Sequence, residues 1–406
     1  MEKNKNSNIY DILIVGAGAI GSALALKLSQ LNYKVALLDF REPSYQTTNP
    51  ERVIALSEGS SRYLKALGVW DDIAKLGAGH IKDIVVCEPN NQGDMQMSHS
   101  EINADALGYV LEMQHVLQPL HQALEGQVDL VYPALCKDIQ QTDSGVFLQV
   151  ETEQGQQTLQ AKLLVGADGT HSLIRKMAGI QAAGWDHNRM GIVASIQTAL
   201  GHGDVAYECF RQEGPLALLP LADGRFSLVW SVAPQHGVSL MKLDDKSFLE
   251  TLEKEVGSDV LAQTGAFQSL GKRATFPLEL RIAKSYAKAN IVLVGNAAHT
   301  IHPIAGQGMN LGFRDGIVLA DILDSEWARK NLSSPRITQT YAEKRRADIL
   351  AVSGFTEGVL EVFGLNLAPA RWLRGQGLNV LGATPSLKQL LLQQAAGLGQ
   401  LKGMRL

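Results

Sequence analysis

The chain has 406 residues, 45% of them apolar, and a formal net charge of −4. That length buries a large core and suits two or more lobes, while the slight acidity argues against a general nucleic-acid binder. Three cysteines, Cys87, Cys136 and Cys209, form no CxxC pair, which argues against structural zinc and for a reducing compartment where they serve as small buried side chains.

The polar start, Met1 to Asn8, lacks the form of a signal peptide, and no run reaches the ~18 apolar residues of a membrane span. The expectation is a cytoplasmic protein, peripheral on the inner membrane where it meets a membrane. Asp11-Ile12-Leu13-Ile14-Val15 is a buried strand, followed at once by Gly16-Ala17-Gly18-Ala19-Ile20-Gly21 and a helical pattern through Leu24, Leu28 and Leu31. Val35-Ala36-Leu37-Leu38 is the next strand and ends in Asp39. This is a complete βαβ unit for a dinucleotide. Gly16 permits the tight turn, Gly18 lets a pyrophosphate approach the backbone, Gly21 lets helix pack on strand, and Asp39 is placed to accept hydrogen bonds from a ribose.

Arg41 to Pro50 reads as a polar loop. Arg52 to Ser57 then precedes a helix running to about Leu67 and ended by Gly68, with Ser57 as its N-cap. Arg52 either pairs with a phosphate or is solvated. Between Ile81 and Ser98 two short strands flank a hairpin turn at Asn90-Asn91-Gln92-Gly93-Asp94. A helix follows near His115 to Leu124, and short strands from Val128 to Gln160 turn at Asp143-Ser144-Gly145 and Glu153-Gln154-Gly155. Ala161 to Val165 is a strand, Asp168-Gly169 an acidic turn, and Ser172 the cap of a helix carrying Arg175.

Alternation from Met190 to Val232 predicts an antiparallel sheet, Phe248 to Val256 a helix, and Phe267 to Leu280 strand again. Ile291-Val292-Leu293-Val294 is a buried strand that Gly295 ends. Pro303, Gly306 and Gly308 demand a loop whose backbone makes the contacts, and from Gln307 apolar residues recur at helical spacing through Leu311, Val318, Leu319 and Ile322. A glycine-rich loop feeding a helix N-terminus favours an anion; the alternative is a strand-loop-helix crossover without a ligand. Beyond Asp321 the chain reads as helical, with breaks at Pro369 and Pro385. From Val362 to Leu406 it carries Arg371, Arg374, Lys388, Lys402 and Arg405 and no acid, with Trp372, Leu373, Leu378 and Leu390 to Leu392 as apolar anchors. That pattern fits docking on an anionic membrane or an acidic partner; a helical cap or an oligomer contact is the alternative.

The order of elements divides the chain into a discontinuous nucleotide domain (residues 1–80, 105–180 and 275–330), a β-rich substrate domain (81–104 and 181–274) and a helical C-terminal region (331–406). His299 and His302 lie in a loop without further obvious ligands, so no metal site is expected. GxSxG and HExxH are absent.

The glycine fingerprint, Asp168-Gly169 before Ser172 and Arg175, and the stretch Gly295 to Asp315 occur in that order over nearly the whole chain. Together they resemble the class A flavoprotein monooxygenases, the family of para-hydroxybenzoate hydroxylase. The wording His299-Thr300-Ile301-His302-Pro303-Ile304-Ala305-Gly306-Gln307-Gly308 looks most like the ubiquinone-biosynthesis hydroxylases. Asn296, where the broad family usually has Asp, resembles the branch acting on 2-polyprenyl-6-methoxyphenol. The resemblance implies an α/β fold: a doubly wound FAD domain, an inserted antiparallel β substrate domain over the flavin ring, and non-covalent FAD. By the same resemblance, Asp39 meets the adenosine ribose and Arg52 the pyrophosphate. Asp168 and Gly169 serve FAD and nicotinamide-nucleotide binding, Gly295 and Asn296 lie near the ribityl chain, and Pro303, Gly306, Gln307, Gly308, Met309 and Asn310 line the isoalloxazine.

The implied reaction is hydroxylation of a polyprenyl phenol with NAD(P)H and O₂ through a C4a-hydroperoxyflavin, with a membrane surface, a biosynthetic complex or a second copy as partner. The residues name no base for the phenol. Two other classes share this pattern of motifs: a flavin-dependent reductase or a hydroxylase of another substrate, and a catalytically silent FAD-binding scaffold.

Overall fold

The computed structural model describes residues 8–45, 53–88, 94–302, 306–364 and 384–399. Two large sheets and one small one carry the architecture. The first has eight strands, ordered Ala287–Lys288, Ile291–Leu293, Gly155–Gly166, Ile9–Val15, Val35–Leu38 and Asp129–Val131 along its main path. Ile9–Val15 runs parallel to both of its neighbours, with Ile14 between Val165 and Leu37. Ile12, Leu13 and Ile14 are all fully buried, as an all-parallel centre covered on both faces requires.

Strands Ala134–Thr142 and Gly145–Thr152 extend this sheet as a meander that feeds Gly155–Gly166. The sequence suggests a new strand at Ala161, but the chain runs unbroken from Gly155 to Gly166. Its first half pairs antiparallel with the meander and its second half pairs parallel with Ile9–Val15.

The second sheet has nine strands. Its path is His299–Thr300, Ala274–Ala283, Ala182–Thr198, Phe226–Val232, Leu216–Pro220, Val205–Cys209, Asp83–Cys87 and Asp94–Ser98, and Phe267–Leu270 pairs with Ala182–Thr198. The two strands expected between residues 81 and 98 therefore form and pair with each other; most of the turn between them lies outside the described residues. The predicted stretch Phe267 to Leu280 divides into two strands on either side of Gly271. One face of this sheet packs Tyr207, Leu218, Trp230 and Val232 against Leu240, Phe248, Leu252 and Val260 of three helices, Pro234–Lys242, Asp245–Val256 and Ser258–Thr264. Asp244 caps the second of these by accepting from Ser247 N at 2.8 Å.

A three-stranded sheet, Val53–Ser57, Gly108–Glu112 and Gly79–Ile81, joins the two. Around it lies a smaller cluster of Ile81, Met95, Met97, Val110, Ala206 and Leu392. Leu392 belongs to the helix Pro385–Ala395, in the tail expected to offer a docking surface. It is fully buried, Lys388 pairs with Glu101 at 2.9 Å, and Gly59 N donates to Ala396 O at 2.8 Å. This part of the tail is a cap on the fold, because an apolar side chain there has a cluster to fill. Arg371, Trp372, Leu373, Arg374, Leu378, Lys402 and Arg405 lie outside the described residues. Among the described residues no helix is long and apolar enough to cross a membrane.

Candidate functional site

The glycine loop follows Val15 at the end of the central strand. A side chain at Gly16 would meet Ala167 O at 2.3 Å, and one at Gly21 would meet Gly16 O at 1.9 Å, whereas one at Gly18 would meet nothing within 4 Å. The first and third glycines are thus consumed by packing, and the second opens onto free space. Gly18 is also the N-cap of the helix Ala19–Gln30, which has no side-chain cap and no acid in its first turn. Its first-turn N–H groups and the positive end of its dipole face the open side of the loop, an arrangement that favours an anion.

Asp39 ends the next strand half-buried and accepts from Ala17 N at 2.7 Å and Arg41 N at 3.2 Å. Its first task is therefore to hold the glycine loop. His121, which nothing in the pattern of motifs singles out, holds the same loop from the other side. Its Nε2 lies 2.8 Å from Ala17 O, so it donates, and Nδ1 accepts from the Tyr45 hydroxyl at 2.7 Å. Burial pushes its pKa down, which favours that neutral tautomer.

Asp168 caps the helix Leu173–Met177. Its carboxylate accepts from Ser172 Oγ at 2.5 Å, Leu173 N at 2.6 Å and Ile174 N at 3.1 Å. Ser172 in turn accepts from Arg175 N at 2.9 Å, as the sequence predicts. Gly169 has a φ of +80° with open space where a side chain would stand. The buried Arg175 guanidinium donates to Thr170 O at 2.8 Å and to Ala297 O at 2.7 Å, so the acidic turn and the Gly295 loop are one assembly. Burial pulls the Arg175 pKa down, aided by nearby Arg281.

Gly295 adopts φ +58° and donates its N–H to Asp315 Oδ2 at 2.7 Å. The same oxygen accepts from His299 Nε2 at 2.6 Å, and Asp315 Oδ1 accepts from Arg345 Nε at 2.6 Å. Arg345 also reaches Asp348 at 2.6 Å, which Arg314 meets at 3.0 Å. Burial opposes the charge on Asp315, but His299 and Arg345 outweigh it and hold the carboxyl below its ordinary range. Neighbouring Asn296 is exposed.

Gly306, with φ +62°, is the N-cap of the helix Gln307–Leu323, which again has no side-chain cap and no acid in its first turn. A side chain at Gly306 would meet Ala55 Cβ at 2.6 Å, so the loop is pressed onto the small sheet. Asn310 fastens it there. Its Oδ1 accepts from Ser57 N at 2.8 Å and Ser60 Oγ at 2.7 Å, and its Nδ2 donates to Gly306 O at 2.9 Å and Ala55 O at 3.1 Å. Gln307, Gly308 and Met309 are half-buried on the same turn. Arg52 and Pro303 lie outside the described residues.

The structure thus places Gly16 to Gly21, Asp39, Asp168 with Gly169, and Gly295 with Asn296 just beyond the ends of four parallel strands, where open α/β sheets bind ligands, and the Gly306 to Asn310 turn at the start of the helix that follows. It adds His121, Asp315 and Arg345, which the motifs alone do not mark. It also brings Cys87 and Cys209, far apart in the sequence, to an Sγ–Sγ distance of 3.1 Å on paired strands, without a disulfide between them. Among the described residues no group of three His, Cys, Asp or Glu side chains is placed to hold a metal.

A protein-family model described as an FAD binding domain matches residues 9–356. The chain is 33% identical over 394 residues to the 3-demethoxyubiquinol 3-hydroxylase of Escherichia coli (strain K12), covering 96% of this chain and 98% of that one. It is 30% identical over 395 residues to the ubiquinone hydroxylase UbiL of Rhodospirillum rubrum, covering 96% of this chain and 90% of that one. Its fold is similar to that of the p-nitrophenol 4-monooxygenase PnpA from Pseudomonas putida DLL-E4, with a TM-score of 0.76 at 19% identity over 95% of this chain and 97% of that one.

Proposed function

As the chain belongs to the FAD binding domain family and is an FAD-dependent monooxygenase, we propose that it hydroxylates the aromatic ring of a polyprenyl phenol in ubiquinone biosynthesis. The observation that carries the reading is the division of labour among the loop glycines. Gly16 and Gly21 are locked by backbone contacts while Gly18 faces free space at an uncapped helix N-terminus. The residues fit FAD. The Gly16 to Gly21 loop would take the pyrophosphate, the carboxylate of Asp39 the ribose, and Gly295 and Asn296 the ribityl region. The N-terminus of the helix beginning at Gln307 would face the ring system.

FAD, when bound, supplies hydride acceptance from NAD(P)H and delivery of oxygen from O₂ to the substrate ring. The chain's own part is placement and charge. The positive end of the Gln307 helix, with no acid in its first turn, stabilises negative charge beside it. Asn310 and Asp315 hold the two ends of the loop leading to that helix, so its donors are fixed before substrate arrives. His302 Nε2 lies 3.4 Å from Ser231 Oγ of the nine-stranded sheet, which sets that sheet against the loop, where it would help to exclude water from a bound substrate. We assign the eight-stranded sheet and its helices to FAD and the nine-stranded sheet to the substrate.

The two relatives named above are a demethoxyubiquinol hydroxylase and a ubiquinone hydroxylase, and that supports the choice of substrate class. Such a phenol resides in a membrane, so the enzyme collects it at a membrane surface or from a lipid-binding partner. The test is to incubate purified holoenzyme with NAD(P)H, O₂ and a short-chain polyprenyl phenol and to weigh the product. A gain of one oxygen atom coupled to NAD(P)H oxidation is expected. NAD(P)H oxidation without any hydroxylated product would favour a reductase, and neither would leave a silent FAD scaffold.

A further inference from the structure

The nine-stranded sheet carries a carboxyl group without a partner. In the strand Val205–Cys209, Tyr207 and Cys209 point into the cluster under the helices. Alternation therefore sends Ala206 and Glu208 to the opposite face, and Ala206 is found in the cluster at the junction with the small sheet. Glu208 is only 9% exposed. Its register neighbours are Ala217 on one side and Val86 on the other, and Phe210 beyond it stacks on Phe363 at 4.1 Å. Among the described residues it makes no side-chain hydrogen bond and no ion pair. Burial alone pushes its pKa up to about 7; no charged side chain bears on it, and the nearby thiols of Cys87 and Cys209 lie on the other face. Its oxygens are not fully enclosed, so they remain open to a partner from outside the protein.

The same face leads to the cofactor loop. Ala217 pairs with Val229, and Ser231, two residues on, meets His302. Two strand spacings across and one alternate step along separate the backbones of Glu208 and Ser231 by about 12 Å. The side chains between are Ala217, which adjoins Glu208, and Val229; beyond Ser231 lies Gly191, where a side chain would meet the Phe276 ring at 2.6 Å. An aromatic ring lying over Ala217 and Val229 would have the cofactor loop at one edge and Glu208 at the other.

We propose that Glu208 receives the ring hydroxyl of the phenol and serves as the acid–base group of the substrate cavity, an assignment that rests on the hydroxylase reading above. As oxygen is delivered to the ring, the phenolic O–H bond breaks and its proton passes to a Glu208 carboxylate oxygen. The released electron pair enters the ring, which becomes a dienone bearing the new hydroxyl. Rearomatisation then loses the proton from the hydroxylated carbon to solvent, where it offsets the proton taken up as the second oxygen atom leaves as water, and Glu208 returns its proton to the ring oxygen, so the carboxylate is restored. A group titrating near the working pH suits both halves of that exchange.

The test reads binding rather than turnover. Holoenzyme with oxidised FAD, without NAD(P)H, is titrated with 2-methoxyphenol and with its methyl ether, 1,2-dimethoxybenzene, following the flavin absorbance. Above pH ~7 the wild type should prefer the phenol by roughly tenfold or more, as a hydrogen bond to a charged acceptor provides. The preference should fall as the pH drops through neutrality and the carboxylate protonates. Glu208→Gln should bring the ratio towards one and remove the pH dependence, while Glu208→Asp should keep it. A purely structural role would change FAD content or melting temperature but not the ratio. If Glu208→Gln retains FAD together with the wild-type ratio and pH profile, the assignment falls; should that variant lose FAD, loss of the pH-dependent preference in Glu208→Asp overturns it instead. A wild type that binds no FAD would overturn the hydroxylase reading, and this inference with it.

Discussion

Asp315 and Arg345 are 30 residues apart in the chain and 2.6 Å apart in the fold, both out of reach of solvent. Through the other oxygen of the same carboxylate, the long helix Pro335–Gly364 is tied to the Gly295 turn. Arg345→Leu leaves Asp315 short of its main counter-charge, and breaking a buried pair from one side costs about 3–5 kcal/mol. Urea unfolding should show a loss of that order, with FAD content falling as the Gly295 turn loosens. A change below about 1 kcal/mol would mean that His299 and the Gly295 amide suffice.

The same carboxylate sets an acid limit. Its folded pKa is depressed below the unfolded value, so its contribution to stability is complete above the unfolded pKa of about 3.9 and is lost as the pH falls through the folded one. Asp315→Asn should lower stability at neutral pH and flatten its decline below pH ~4. Urea midpoints of both proteins across that range check the sign.

Replacing Gly18 by Val should abolish FAD binding while the protein still folds. Gly18 has φ −71° and open space at its Cβ position, so the side chain is tolerated until a pyrophosphate needs the room. Gly21→Val should instead fail to fold, because its Cβ would sit 1.9 Å from Gly16 O. Circular dichroism and released FAD distinguish the two outcomes.

The contrast between these glycines marks what the sequence made legible. The βαβ unit is local: strand, turn, helix and acid follow within about thirty residues, and each residue type has a single physical reason to be there. The Ser57 and Ser172 caps were readable on the same ground. Partners distant in the chain were not. His121 reaches Ala17 across 104 residues, and nothing about an isolated histidine in a helix announces that contact. Arg345 sits among other charges on a helix and looks solvated. Glu208 carries no motif; its interest comes from the sheet that gives it apolar neighbours on both sides. The tail was read for its charge, and Lys388 and Leu392 turned inward because Glu101 and an apolar cluster await them.

Asn310→Ala removes four side-chain hydrogen bonds and strands Ser57 N, a buried donor. At about 1 kcal/mol for each typical bond, with an added penalty of about 1–3 kcal/mol for the unpaired donor, the loss should be roughly 5–7 kcal/mol. Asn310→Asp keeps the acceptor but presents a carboxylate to Gly306 O and Ala55 O, so it should be comparably damaging. Thermal melts of the apoprotein measure this independently of FAD.

Asn296 is exposed beside the buried turn, so its substitution should spare the fold. Asn296→Ala should weaken FAD by about 0.5–1.5 kcal/mol, the value of one neutral hydrogen bond, and Asn296→Asp should be tolerated. Equal FAD dissociation constants for wild type and Asn296→Ala would reject its role.

The capping half of the tail separates from its basic half. Leu392→Asp should destabilise the protein by several kcal/mol, since it puts a charge into a closed apolar cluster. Arg371→Glu with Arg374→Glu should reduce co-sedimentation with anionic liposomes. Unchanged co-sedimentation would remove the membrane from the proposed partners.

The parallel sheet is assembled from chain segments that end near residues 15, 38, 166 and 293. At a translation rate of ~5–20 residues per second, the first strand leaves the ribosome roughly 15–60 s before the Ile291–Leu293 strand is made. For roughly the first half of that interval Ile12, Leu13 and Ile14 lack their neighbouring strand Gly155–Gly166, and until its end that strand in turn lacks Ile291–Leu293. A nascent chain of this protein therefore spends its early life as an apolar strand cluster awaiting closure.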